Sequence, residues 1–201
     1  MDTRIPSKWL PARRCNRIII GLAVFFVRCL PKSACIFLWN LSDVGPLGLG
    51  WLVRYSILRR LSRRCGQRVY IGRGCEVRNW ELLEIGSDVS IHAHCYLDAK
   101  GGIQIGDQVS IAHQTSVLSS DHTWGDPAIP IRDNKVVLKP TRIDNDVWIG
   151  CGCRILGGVN VRSRSVVAAG AVVTKDVESG WLAGGVPARP LRRLSEADIA
   201  R

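Results

Sequence analysis

Aliphatic residues recur at every sixth position from Cys65 onward. Fifteen hexads, each a stretch of six residues that starts at such a position, fit one frame, and 14 of the starting residues are Ile, Leu or Val. The frame breaks once, over residues 123–142. The aliphatic first positions are Ile71, Val77, Ile85, Ile91, Leu97, Ile105, Ile111, Val117, Ile143, Ile149, Ile155, Val161, Val167 and Val173.

The fifth position of most hexads is small or β-branched. Such residues are Val69, Cys75, Val89, Cys95, Val109, Thr115, Val147, Cys153, Val159, Ser165, Ala171 and Val177. One inward aliphatic side chain and one small side chain in six residues match a three-sided coil with tight corners. Stacked coils bury a core that no single turn could bury. The period therefore predicts an all-β fold, a parallel β-helix shaped as a three-sided prism.

The frame also predicts how the chain is divided. It slips by two residues after the third hexad of the first two coils, as if one corner were longer than the others. We expect the prism to span residues 65–178, with an excursion loop at 123–142. Residues 1–64 are predicted to form a helical extension, and residues 179–201 a tail that contacts cofactor and contains a short helix.

The net charge of +11 lies in the first third of the chain. Residues 1–68 hold 13 Lys and Arg against 2 Asp and Glu, whereas residues 69–201 hold 15 of each sign. A uniformly basic nucleic-acid-binding protein would not divide its charge in this way. The neutral prism therefore argues against nucleic acid as a partner.

The basic N-terminal third is also apolar. Residues 18–27 contain no polar side chain, and a second apolar stretch at 34–41 follows Arg28 and Lys32. Ten apolar residues are too few to span a bilayer. Three interpretations stay open: a signal peptide, which lacks a convincing cleavage site; helices packed on the prism; and a segment in the membrane interface, attracted to anionic lipid.

Half of the eight cysteines fall into the hexad frame. Cys65 takes a first position, and Cys75, Cys95 and Cys153 take fifth positions, where a thiol acts as a compact hydrophobic group. No CxxC spacing typical of a metal site is present, and Cys151 is too close to Cys153 for an ordinary zinc half-site. We therefore expect reduced cysteines, a cytoplasmic location and no metal.

Three segments of the prism resemble a known family. They are IGDQVSIAHQTSVLSSDH (105–122), IDNDVWIGCGCRILGGVNV (143–161) and VVAAGAVVTKDVESGWLAGGVPARPLR (166–192). They resemble the hexapeptide-repeat acyltransferases, in particular the maltose/galactoside O-acetyltransferase group and its relatives in surface-polysaccharide biosynthesis. The resemblance implies a left-handed β-helix, a homotrimer, acetyl-CoA as acyl donor and a saccharide or glycan precursor as acceptor.

The resemblance assigns His122 as the general base. An imidazole can accept a proton near neutral pH, so it suits removal of the acceptor's hydroxyl proton as oxygen attacks the thioester. His92 and Asp98 match acceptor-binding positions, although the family commonly has Asn at the place of His92. Asp121 is a third candidate for substrate binding; it either orients a ring or caps a turn, and both roles stay open.

The cofactor positions are likewise implied by the resemblance. Small residues match the chain beside the pantetheine arm, an aromatic matches a position near its channel, and polar or basic residues match the nucleotide and phosphate end. The small residues are Ala112, Cys151 and Ala169, and the aromatic residue is Trp148. Thr174 and Lys175 match the nucleotide end, and Arg189 and Arg192 match the basic residues that meet the phosphates.

Two other functions remain as alternatives. γ-Class carbonic anhydrases share the fold and bind zinc through three His, but Val117 stands where the His-x4-His partner of His122 would be. A non-catalytic β-helix scaffold is the second alternative. If the chain is the transferase, residues 1–64 are expected to hold it on the inner face of the cell membrane, where lipid-linked glycans are assembled.

Overall fold

The computed structural model describes residues 17–44 and 47–195, beginning with three helices. These are α1 (Arg17–Arg28), α2 (Lys32–Leu41) and α3 (Leu47–Leu61). The part of the predicted N-terminal extension at 1–16 lies outside the described residues. Across the ranges that the structure describes, every helix is too short or too polar to cross a bilayer.

Three sheets follow the helices and form the faces of a prism, and their strands are parallel except for the last pair, β18 and β19. The first sheet contains β1 (Arg64–Cys65), β4 (Leu83–Ile85), β7 (Ile103–Ile105), β12 (Thr141–Ile143) and β15 (Asn160–Val161). The second contains β2 (Tyr70–Ile71), β5 (Ser90–Ile91), β8 (Ser110–Ile111), β13 (Trp148–Ile149), β16 (Val166–Val167), β18 (Trp181–Gly185) and β19 (Ala188–Arg193). The third contains β3 (Glu76–Arg78), β6 (Tyr96–Asp98), β9 (Ser116–Leu118), β14 (Arg154–Ile155) and β17 (Val172–Val173). A separate pair, β10 (Ser120–His122) and β11 (Val136–Leu138), forms an antiparallel ladder.

The register confirms the predicted frame. In the second sheet, Ile71 pairs with Ile91, which pairs with Ile111, so first positions of successive coils lie directly above one another. All 14 aliphatic first positions are buried, and so are the twelve small or β-branched fifth positions. The fold is therefore the left-handed parallel β-helix with a helical extension that the sequence predicts.

The corners depend on the fourth position of the hexad, which the sequence frame did not single out. At eleven of these positions φ lies between 54° and 88°, in the left-handed region. Four of the eleven are glycines, and the others include Asp88, His94 and Gln108. Such a residue turns the chain from one face of the prism to the next, and the side chain that follows it, at the fifth position, lies in the core.

The helices cover the N-terminal end of the prism. Carbonyls of a coil accept hydrogen bonds from the coil before it, as Val89 O does from Tyr70 N at 2.8 Å. The first coil has no predecessor, so its equivalent carbonyls would be left unpaired, which is costly in a buried edge. Side chains of α2 and α3 replace the missing donors: Trp39 Nε1 to Cys75 O, Trp51 Nε1 to Val69 O, Arg54 Nε to Ile71 O and Tyr55 OH to Gly66 O, at 2.9 to 3.3 Å.

The C-terminal end is closed by a hairpin. Strands β18 and β19 pair antiparallel, and β18 continues the second sheet through Leu182 and Ala183. The predicted tail at 179–201 is thus a β-hairpin over most of its described length, and no helix occurs in residues 179–195. Residues 196–201 lie outside the described part of the chain.

Candidate active site

His122 lies on the excursion, just outside the prism. The chain leaves the third sheet at Ser119, whose hydroxyl donates to the carbonyl oxygen of Asp98 at 2.7 Å. Residues 120–122 then pair with 136–138, with His122 opposite Val136. The predicted loop at 123–142 therefore contains the distal part of a hairpin, the returning strand β11 and the first two residues of β12, and the ladder holds His122 at the base of the hairpin.

An open pocket surrounds His122. Its lining also includes Asp121, Trp124, Val137 and Lys139. The imidazole is exposed, and so is Trp124. A bound molecule could reach the imidazole directly, but one chain alone does not enclose it.

Lys139 is a residue of this pocket that the sequence did not single out. Its ammonium group lies 2.8 Å from the carboxylate of Asp121. The backbone of Lys139 donates to Ser119 O at 2.8 Å and accepts from Gly158 N at 3.0 Å. Lys139 thus ties the returning strand to the prism and to the residue beside His122. No spacing rule indicates a partner 18 residues away across an irregular hairpin.

Asp98 holds a turn. Its carboxylate accepts hydrogen bonds from Asn79 Nδ2 at 2.8 Å and from the backbone N–H of Lys100 at 3.2 Å. These two bonds, both made within one chain, use part of the hydrogen-bonding capacity of the carboxylate. Asp98 is half-buried beneath the excursion.

His92 lies at a different corner, directly after β5. Its ring meets Tyr70 edge to face, with centroids 6.1 Å apart. Burial, and secondarily the nearby His113, lowers the pKa of His92 below its usual value. The neutral imidazole, with one donor and one acceptor nitrogen, is therefore favoured at this corner.

Most of the predicted site residues lie on two edges of the prism. The His92 edge is the corner between the second and third sheets, and it carries His92, Ala112, Cys151 and Ala169. The His122 edge is the corner between the third and first sheets, and it carries Asp98, Asp121, His122, Thr174 and Lys175. Strands of two or three residues separate the edges by roughly 10 Å, at about 3.3 Å per residue plus the corners. One chain therefore does not bring His122 and His92 into one pocket.

Backbone runs close to the surface on the His92 edge. A Cβ on Gly150 would come within 2.5 Å of the backbone N of Ala169, so successive coils touch there. Ala112 N donates to Ile149 O, and Gly170 N donates to Cys151 O at 2.8 Å. These N–H groups are therefore already paired between coils, and the small side chains leave the backbone surface of this edge open to an extended ligand.

The remaining predicted cofactor residues lie in the second sheet. Arg189 pairs with Gly184 in the terminal hairpin, near the end of the His92 edge, while Arg192 pairs with Leu182. Trp148 is on the outer surface of the second sheet, between Ser110 and Val166, and belongs to neither edge. Among residues 17–44 and 47–195, no three His, Cys, Asp or Glu are grouped as metal ligands would be.

Known proteins of the same architecture match the chain. A crystal structure of a hexapeptide-repeat acetyltransferase of Vibrio cholerae, complexed with acetyl coenzyme A, superposes with a TM-score of 0.71 at 31% identity, covering 82% of this chain and 87% of that one. The chain belongs to the hexapeptide-repeat acetyltransferases. A maltose O-acetyltransferase of Clostridium difficile 630 superposes with the same TM-score at 25% identity and the same two coverages.

A probable acetyltransferase of Mycobacterium tuberculosis is 31% identical over 140 residues. The match covers 68% of this hexapeptide-repeat acetyltransferase but 47% of that protein, so the chain spans about half the length of that curated relative. No protein-family model matches the chain.

Proposed function

We propose that this protein transfers an acetyl group from acetyl-CoA to a hydroxyl of a saccharide or glycan precursor, with His122 as general base. Family membership supports the donor, because the Vibrio cholerae relative was crystallised with acetyl coenzyme A. The Clostridium difficile relative, a maltose O-acetyltransferase, supports the acceptor class. The observation that carries the catalytic role is the imidazole of His122, exposed in an open pocket at the base of the excursion.

The proposed reaction is a direct attack. The acceptor oxygen bonds to the thioester carbonyl carbon as the imidazole of His122 takes the hydroxyl proton. The tetrahedral intermediate collapses with loss of the CoA sulfur, which leaves with the proton returned by the imidazolium. The acetyl ester and free CoA are the products, with no covalent enzyme intermediate. Backbone N–H groups of a neighbouring coil would stabilise the oxyanion.

A homotrimer would complete the site. Residues of the acceptor and cofactor sets are divided between the His92 edge and the His122 edge, and a threefold arrangement can bring one edge of a subunit against the other edge of its neighbour. The pantetheine arm would run along Ala112, Cys151 and Ala169. Thr174 and Lys175 would meet the nucleotide, and Arg189 and Arg192 the phosphates.

A cytoplasmic location is part of the proposal. Cys75, Cys95 and Cys153 each donate a thiol hydrogen to a backbone carbonyl at 3.0 to 3.3 Å, as reduced cysteines do. Burial raises the pKa of the Cys65 thiol to about 12, which keeps it protonated and unreactive. These interactions suit a reducing compartment.

A steady-state assay tests the chemistry. CoA release from acetyl-CoA is measured with a panel of mono- and oligosaccharides, and the acetylated product is identified by mass spectrometry. His122→Ala should lower kcat by roughly 10²- to 10⁴-fold, the usual contribution of a general base. Lys135→Ala is the matched control, because Lys135 lies on the same excursion and contributes only its backbone carbonyl to Thr123. Full activity of a folded His122→Ala protein would refute the catalytic assignment.

Subunit mixing tests the shared site separately. His122→Ala and Ala169→Trp change different edges, and each variant alone should be inactive. In mixed trimers, about a quarter of the sites would combine two intact edges, so activity should return on co-expression. If the mixture stays inactive although it contains hetero-oligomers, the site is not divided between subunits.

A further inference from the structure

Two of the N-terminal helices expose an apolar surface. On α1, Val24 and Val27 are buried, whereas Phe25 and Phe26 are 69% and 65% exposed. On α2, Cys35 and Trp39 are buried, and Phe37 is 67% exposed. We define the helical apolar face as the exposed large hydrophobic residues of these two helices: Ile19, Leu22, Phe25, Phe26, Ile36, Phe37 and Leu41.

Capping the prism does not require this surface. The side chains that pair with the first coil, among them Trp39, Trp51 and Arg54, come from other faces of α2 and α3. Large hydrophobic residues that are exposed together typically mark a contact with another phase or molecule.

The charge of the N-terminal segment that carries this face indicates what the face contacts. Residues 3–42 contain seven Lys and Arg and no Asp or Glu. Arg28 ends α1 and Lys32 begins α2, so both lie at the turn between the two helices. Within residues 69–201 the two signs balance. The positive charge is thus concentrated on the segment that also presents the phenylalanines.

We infer that the helical apolar face inserts into the interface of an anionic lipid bilayer. Phe25, Phe26 and Phe37 enter the acyl boundary, and Arg28 and Lys32 meet the headgroups, Lys32 in exchange for its exposed ion pair with Glu81. A second copy of the chain fits less well, because it would bring a like-charged segment against this one. The inference does not depend on acetyl transfer, since vesicle binding requires neither acetyl-CoA nor an acceptor.

Vesicle cosedimentation of the full chain tests the inference. The vesicles are phosphatidylcholine alone or with about one-third phosphatidylglycerol, at low and raised salt. Wild-type protein should bind the anionic vesicles and lose affinity as salt rises. The double variant Phe25→Ser/Phe26→Ser should bind at least about tenfold more weakly, because the buried apolar area is lost. Arg28→Gln/Lys32→Gln should bind anionic vesicles about fivefold more weakly and lose part of the salt dependence.

Val137→Ser/Leu138→Ser is the matched control. Both residues are adjacent, exposed and apolar, but they lie on the excursion. This variant should bind vesicles as the wild type does. Equal vesicle binding by Phe25→Ser/Phe26→Ser would overturn the inference. A second result would also overturn it: the wild-type protein does not bind vesicles but forms assemblies that Phe25→Ser/Phe26→Ser does not form. The face would then be a contact between copies of the chain.

Discussion

The ammonium group of Lys139 lies 2.8 Å from the carboxylate of Asp121, which precedes His122 in the same strand. The two side chains are about 40% exposed, so the ion pair itself should stabilise the fold by no more than about 1 kcal/mol. Its importance is positional, because it holds the returning strand of the excursion beside the proposed base.

Removal of this ion pair should reduce turnover more than stability. Lys139→Met leaves Asp121 without its cation and loosens the strand that carries His122. We expect kcat to fall about tenfold, as misplaced catalytic groups do, with a small change in Tm. Lys139→Arg should recover most of kcat, and Lys135→Met is the control on the same excursion. If kcat for Lys139→Met equals the wild-type value, Lys139 is not a positioning residue.

Loss of one indole N–H should weaken the cap of the prism. Trp39→Phe keeps an aromatic ring against Trp80 but leaves the Cys75 carbonyl without its donor. We expect the free energy of unfolding in urea to fall by about 1–3 kcal/mol, the cost of an unpaired buried polar group. Trp148→Phe, at an exposed indole, should change it by less than about 0.5 kcal/mol. Equal effects of the two substitutions would contradict this account.

Close contact between coils should make Gly150 sensitive to a single methyl group. Its added Cβ would lie 2.5 Å from the backbone N of Ala169, and a backbone neighbour cannot rotate away. Gly150→Ala should therefore destabilise the protein by roughly 1–3 kcal/mol, as overpacking does. Gly125→Ala, where nothing lies within 4 Å, should be neutral or slightly stabilising. Thermal unfolding of both variants checks the contrast, and a neutral Gly150→Ala would show that the coils can separate.

Protonation of His92 should make the stability of its corner depend on pH. Its pKa is lowered first by burial and then by His113. The unfolded chain binds a proton at His92 more readily than the folded chain does. His92 therefore favours the folded state at pH values above its pKa in the unfolded chain, and this stabilisation is lost as the pH falls through its lower pKa in the folded chain. His113→Gln should raise the midpoint of His92 in an NMR titration, but only part of the way, because burial remains. An unchanged midpoint would show that His113 does not lower the pKa of His92.

The core of the prism was predictable because its period is local. Each first-position residue, such as Ile91, occupies the same place in its own coil whatever the rest of the chain does, so spacing alone predicts its burial. The resemblance likewise indicated His122 from a short segment before a break in the frame. The left-handed conformation at the fourth positions could not be predicted, because residues as different as Asp88, His94 and Gln108 occupy them.

Contacts between distant segments depended on the tertiary structure. Spacing cannot pair Lys139 with Asp121, because the residues between them form a hairpin of irregular length. Nor can it show that Trp39 replaces a donor for the first coil, since that need arises only at the end of a stack. Sequence by itself determined the three-sided core and a candidate base; the folded chain decided that His92 and His122 lie on separate edges, because a triangular cross-section keeps its corners a strand apart.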